Sequence, residues 1–157
     1  MEHLKLAIFL IALAFVFARA EIEIEGPHGW AAKLPTWRIS NRWTKLFYGG
    51  RPLTGYHFWL QAFVFLMAHS PLALDFAPWS WAAELRIIGF VLVLFIVEDF
   101  LWFVLNPAYG IRRFRREHIW WHAPAWWWIM PREYWVFLTL GCLLYGAGVW
   151  MKSPLGP

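Results

Sequence analysis

The stretch VEDFLWFVLNPAYGIRRFRREHIWWH, residues 97–122, decides how this chain is read. It begins late in an apolar run, about residues 82–105, that meets the length of about 20 residues needed to cross a bilayer as a helix. Two adjacent acids, Glu98 and Asp99, stand inside that run. A charge at such a position costs about 2.5–3.5 kcal/mol on insertion scales, so an acid retained there marks a candidate functional site. Asn106-Pro107 ends the run, because the residue before a proline is pushed away from helix. A basic, aromatic segment follows and closes on His118 and His122, one helical turn apart.

Outward from this stretch, three more apolar runs occur, at about residues 4–19, 56–74 and 134–151. The expectation is an all-α integral membrane protein, a single domain over residues 1–157 built as a four-transmembrane-helix bundle. Surface segments 20–55 and 106–133 connect the spans, the first as a long membrane-surface loop. Hydrophobic residues make up 61% of the chain and charged ones 15%, well away from the soluble average of about half and a quarter. The fourteen tryptophans suit membrane–water interfaces. A net charge of +4, with the basic residues beside apolar runs, points to anionic lipid and not to nucleic acid. The single cysteine, Cys142, excludes disulfides and cysteine-rich metal sites. Ala18-Arg19-Ala20 resembles a signal-peptide cut, but the arginine favours a retained first helix. Gly141, Gly146, Ala147 and Gly148 suit close helix packing in the last span.

Four spans divide the connections between two sides. Segments 20–55 and 106–133 share one side, which therefore holds Glu21, Glu23, Glu25, His28, His57, His118 and His122. Glu98 and Asp99 lie on the same side, about 12 Å below Asn106 at 1.5 Å per residue. His3 and His69 fall on the other. With Arg19 included, the shared side carries eleven of the fourteen Lys and Arg residues, which by the positive-inside rule turns it to the cytoplasm of a multi-pass cell-membrane protein. Residues 21–25, EIEIE, alternate as an extended edge does. Residues 111–122, drawn as a helix, put Ile111, Phe114, His118, Trp121 and His122 on one face. That is the pattern of an interfacial amphipathic helix with both histidines over the bundle mouth.

The chemistry expected of this set is metal binding. Histidines at i, i+4 can ligate one ion, and carboxylates from a neighbouring helix complete a His/carboxylate site for zinc, iron or manganese. The expected ligands are Glu98, Asp99, His118, His122 and His57, with Asn106 orienting Asp99 or a ligand water. Glu98 or Glu25 would serve as general base. The resulting protein would be a membrane metalloenzyme, a hydrolase or an oxidoreductase, acting on a lipid or amphipathic small molecule. Two other readings fit the same residues. One is an accessory subunit of a larger respiratory or photosynthetic membrane complex, or a homo-oligomer, holding haem or quinone. The other is a lipid-binding scaffold in which Glu98 or Asp99 pairs with Arg38, Arg112 or Arg113.

Overall fold

Each apolar run closes into a helix. The computed structural model describes residues 1–152 and is mostly helical. Its helices are α1 (Glu2–Glu25), the short α2 (Arg42–Phe47), α3 (Gly55–Ala73), α4 (Trp81–Leu105) and α5 (Arg132–Lys152). Side chains satisfy the open N–H groups where several of them begin. Thr54 caps α3 through the His57 N–H, and Ser80 caps α4 through the Ala83 N–H. Asn41 and Thr44 cap α2 reciprocally. α4 and α5 are long and apolar enough to cross a membrane.

α4 is the central helix, packed most extensively on α5, then on α1, and more lightly on α3. Its contact with α5 is backbone against backbone. A Cβ on Gly89 would lie 2.6 Å from the Gly141 carbonyl oxygen, and one on Gly148 would lie 2.6 Å from the Ala82 carbonyl oxygen. Of the small residues expected to pack in α5, Gly141 and Gly148 do so, while among the described residues Gly146 meets nothing within 4 Å and Ala147 is exposed. One cavity is lined by the C-terminal parts of α1 and α4 with the N-terminal parts of α3 and α5. A second is lined by the opposite ends. The helices therefore alternate in direction, α1 and α4 one way, α3 and α5 the other.

Two expected local structures are replaced. Residues 21–25 continue α1 as helix, because Glu21, Ile22 and Glu25 are buried at the i, i+1, i+4 spacing of a helical stripe. The amphipathic helix over 111–122 is not formed. Gly110, at φ +66°, turns the chain, and Ile111–Arg113 makes a single 3₁₀ turn. Turns carry the rest to a second 3₁₀ turn at Ala123–Ala125. Four cations within five residues, Arg112 to Arg116, repel one another and are all exposed.

The main apolar core gathers where the connections fold onto the helix ends. Ala18 and Ile22 of α1 and Trp102 and Phe103 of α4 meet Trp30, Ile119 and Trp121 of the connections. Phe103 and Trp121 stack with centroids 5.6 Å apart. Two short antiparallel pairings tie the connections together. β1 (Arg38–Ile39) pairs with β2 (Leu53–Thr54), and β3 (Trp126–Trp127) pairs with β4 (Met130–Pro131).

Candidate functional site

At the end of the bundle capped by these connections lies a chamber of about 420 Å³. Glu21 and Glu25 enter it from α1, His57 from α3, and Glu98 and Asp99 from α4. Tyr134 enters from α5 and Arg51 from the loop before β2. The helix phases explain the convergence. Glu21 and Glu25 share one face of α1, and the last turns of α4 turn Glu98 and Trp102, four residues apart, inward. Glu98 is 5% exposed and faces Glu21, and its Oε1 has no hydrogen-bond partner.

Arg51 is the cation at the centre. Gly49 and Gly50, at φ +60° and +95°, take left-handed conformations that turn the loop inward. Its Nε donates to the Tyr48 carbonyl at 2.8 Å, and Nη1 lies 3.2 Å from His122 Nε2. Its guanidinium stacks on Trp30, 3.8 Å from the ring centroid, and the Trp30 ring also stacks with His57 at 4.0 Å. Burial pushes the Arg51 pKa below its ordinary value, opposed by the nearby Asp99 and Glu133 carboxylates.

His122 and Asp99 form the second group. His122 Nε2 lies 3.0 Å from Asp99 Oδ2, which also accepts a 2.5 Å bond from the Tyr134 hydroxyl. Arg51 can only donate and an ionised Asp99 can only accept, so Nε2 serves one of them at a time. With its proton on Nε2 the ring donates to Asp99; with a bare Nε2 it accepts from Arg51. Nδ1 of His122 is buried and meets no partner. Burial and the Arg51 charge hold the His122 pKa below the usual imidazole value, against the pull of Asp99.

The third group is Thr54, His57 and Glu25. Thr54 Oγ1 lies 2.6 Å from His57 Nδ1, and His57 Nε2 lies 3.6 Å from Glu25 Oε1. Glu25 also accepts the Ala31 backbone N–H, which ties the start of the connection down. The order hydroxyl–imidazole–carboxylate is that of a nucleophilic relay. Thr54 is 0% exposed and caps α3, however, so its oxygen cannot reach a bound molecule. Its role is to fix the His57 ring. Thr54→Val is therefore expected to cost about 1–2 kcal/mol in thermal unfolding, as lost N-caps do, whereas Thr54→Ser should stay close to the parent.

The chain has no match among known protein families, curated proteins or solved structures.

The expected ligand set of Glu98, Asp99, His118, His122 and His57 divides. His118 is exposed while His122 is buried, because the turns of 111–122 do not keep the helical phase. Among the described residues no three His, Cys, Asp or Glu side chains are grouped to hold a metal ion. Asn106 is buried but does not orient Asp99. Its Nδ2 donates to the Gly26 carbonyl and its Oδ1 accepts the Ala108 N–H, joining the ends of α1 and α4. The scaffold pairings with surface arginines are likewise not made. Arg38 binds the Thr36 and Ala31 carbonyls and Arg113 the Ala108 carbonyl. His69 pairs with Glu84 and His3 with Tyr145 at the opposite end, as side counting required.

Sequence reasoning passed over Arg51 and Tyr134. The available signal for Arg51 was a lone arginine directly before Pro52 and after two glycines, inside a connection otherwise rich in interfacial cations. Glu133 also lines the chamber; its Oε1 pairs with Arg132 at 2.9 Å, while its buried Oε2 has no partner. Beside the lining acids Glu21, Glu25, Glu98, Asp99 and Glu133, Arg51 is the one fixed positive charge in the chamber lining among the described residues.

Proposed function

We propose that this is an integral membrane protein of four spans that takes an amphipathic small molecule into its acid-rich chamber and presents general acid–base groups to its head. One observation carries the reading: a cavity of about 420 Å³ holds a buried carboxyl, Glu98, whose Oε1 has no protein partner. Orphaned buried acceptors are costly, by about 1–3 kcal/mol or more, so a bound donor is the natural complement. Glu98 is the group positioned to exchange a proton with that molecule, and the Asp99–His122 pair supplies a second acid–base couple beside it. His57 Nδ1 is engaged by Thr54 and His122 Nε2 by Asp99 and Arg51, and the His57 ring is stacked on Trp30, which favours this metal-free reading over the metalloenzyme one. Stoichiometric zinc, iron or manganese in purified protein, lost in Glu98→Gln, would reinstate the latter; elemental analysis decides.

The membrane setting rests on apolar surface as well as on α4 and α5. Ile8 and Leu66, on α1 and α3, are 60% and 69% exposed. Such large apolar side chains over whole helix faces need lipid or a partner to cover them. In the four-span arrangement the chamber mouth faces the cytoplasm, following the basic residues of its connections. Single cysteines introduced in a Cys142→Ala background test it. Ser40→Cys and Arg115→Cys should react with an impermeant thiol reagent from one side of the membrane, and Phe76→Cys from the other. Labelling of all three from one side overturns the four-span arrangement.

The ligand reading has its own test. Protein released in mild detergent is expected to carry a co-purifying amphiphile, found by mass spectrometry of the extracted fraction. Glu98→Gln keeps the shape but loses the strong acceptor, so retention should fall about ten-fold. Equal retention in both proteins, each folded by circular dichroism, would remove Glu98 from the site.

A further inference from the structure

A second cavity, of about 860 Å³, lies between α1, α3 and α4 below the chamber. Its walls are apolar apart from Arg86 and Tyr145 at the end away from the chamber, with Leu13, Val64, Phe90 and Leu94 among them, and it meets the chamber at Phe17 and Leu60, which line both. Along α1 its lining runs from Ala20 back to Leu6, about 21 Å at 1.5 Å per residue. A single leaflet of a bilayer core is about 15 Å deep, so the groove takes a chain longer than one leaflet.

The head end is crowded with carboxyl groups. Glu21, Glu25, Glu98 and Asp99 face a single fixed cation, Arg51. That cation is already committed to the Tyr48 carbonyl, His122 and the Trp30 face. A carboxylate or phosphate head would bring further acceptors, and its own negative charge, into a buried space already crowded with carboxyl oxygens. An ammonium head supplies three donors and a positive charge, and Glu98 Oε1 and Glu133 Oε2 are buried carboxyl oxygens of the chamber lining without partners.

We propose that chamber and groove together form one site for a long-chain amine, its ammonium head held by Glu98 and Glu21 and its chain lying along α1 and α3 past Phe17 and Leu60. This rests on the amphiphile reading above and names the class of molecule. The chamber recognises the charge and the groove measures the chain.

The test uses the full chain in phosphatidylcholine nanodiscs with a long-chain primary amine carrying a mid-chain diazirine. Cross-links mapped by mass spectrometry are expected on groove residues such as Phe63 and Val64. Octadecylamine should compete about ten-fold better than stearic acid or octadecanol, the difference expected of one charge-assisted contact. Glu98→Gln should abolish that preference while leaving competition by octadecanol unchanged. Ala68→Phe, which fills the groove away from the chamber, should lower labelling about ten-fold, while octylamine still quenches tryptophan fluorescence as it does in the parent. Stearic acid competing as well as octadecylamine overturns the amine assignment and leaves the amphiphile reading in place. Labelling spread over the outer helix faces and unchanged in both variants overturns both.

Discussion

Arg51→Met is expected to be among the most damaging single substitutions in the chain, destabilising the fold by about 3–5 kcal/mol. Arg51 is 7% exposed and is the one fixed cation lining a chamber that also holds Glu21, Glu25, Glu98 and Asp99. Methionine fills similar volume but leaves the acids without a counter-charge, the Tyr48 carbonyl without its donor, and the Trp30 ring without its cation. Breaking a buried charge arrangement on one side costs more than replacing it entirely, because the remaining charges stay buried and uncompensated. Total stabilities of about 5–15 kcal/mol make such a loss enough to deplete folded protein. Thermal unfolding followed by near-ultraviolet circular dichroism measures it. Arg51→Lys should lose less, since it keeps the charge but not the fork, and Asp99→Asn added to Arg51→Met should recover part of the loss. A variant Arg51→Met within about 1 kcal/mol of the parent would show that the acids are neutralised without it.

Gly141→Leu carries the second large effect, and it acts through space alone. A Cβ at Gly141 would lie 2.9 Å from the Gly89 carbonyl oxygen and 2.9 Å from Val93 Cγ2. Both neighbours lie on α4, one of them backbone, so the helices must separate to admit leucine. Overpacking of this kind costs about 1–3 kcal/mol and more where backbone must move. Separation would also displace Tyr134 and its bond to Asp99, coupling the glycine contact to the chamber. Gly146→Ala is the contrasting variant. Nothing lies within 4 Å of its added Cβ, so the helix gains about 0.5–1 kcal/mol from alanine. The opposite signs of these two neighbouring changes, read by the same unfolding measurement, separate contact from helix propensity.

The convergence of Glu25, His57, Glu98, Asp99 and His122 was legible because it depended only on counting apolar runs and on which side each connection fell. That argument needs no side-chain detail, and the alternating helix directions satisfy it. The errors arose where periodicity was applied to short polar stretches. EIEIE alternates, yet the same letters place Glu21 and Glu25 four apart, and continuation of α1 buries both. For 111–122 the helical face existed on paper, but Gly110 and the run of arginines outweighed it. His118 was consequently joined to a site from which it is turned away. Arg51 could not be singled out because its importance comes from two left-handed glycines and from partners more than 40 residues distant, as His122 is, 71 positions away. The tryptophans mislead in a related way. Trp30, Trp102 and Trp121 are core residues where composition suggested an interfacial belt, while Trp127 and Trp128 remain exposed.

α4 and α5 are locked by glycine contacts, whereas α1 and α3 each lean on α4 and make few contacts with each other. Under the proposed four-span placement in a bilayer, the gap between α1 and α3 would open sideways into the lipid. A molecule reaching Glu98 by that route would not cross free water. Its arrival rate would then follow its mole fraction in the membrane, independent of the volume of the surrounding medium. Dilution of the sample at fixed lipid composition should leave occupancy unchanged, and only dilution with additional lipid should empty the protein.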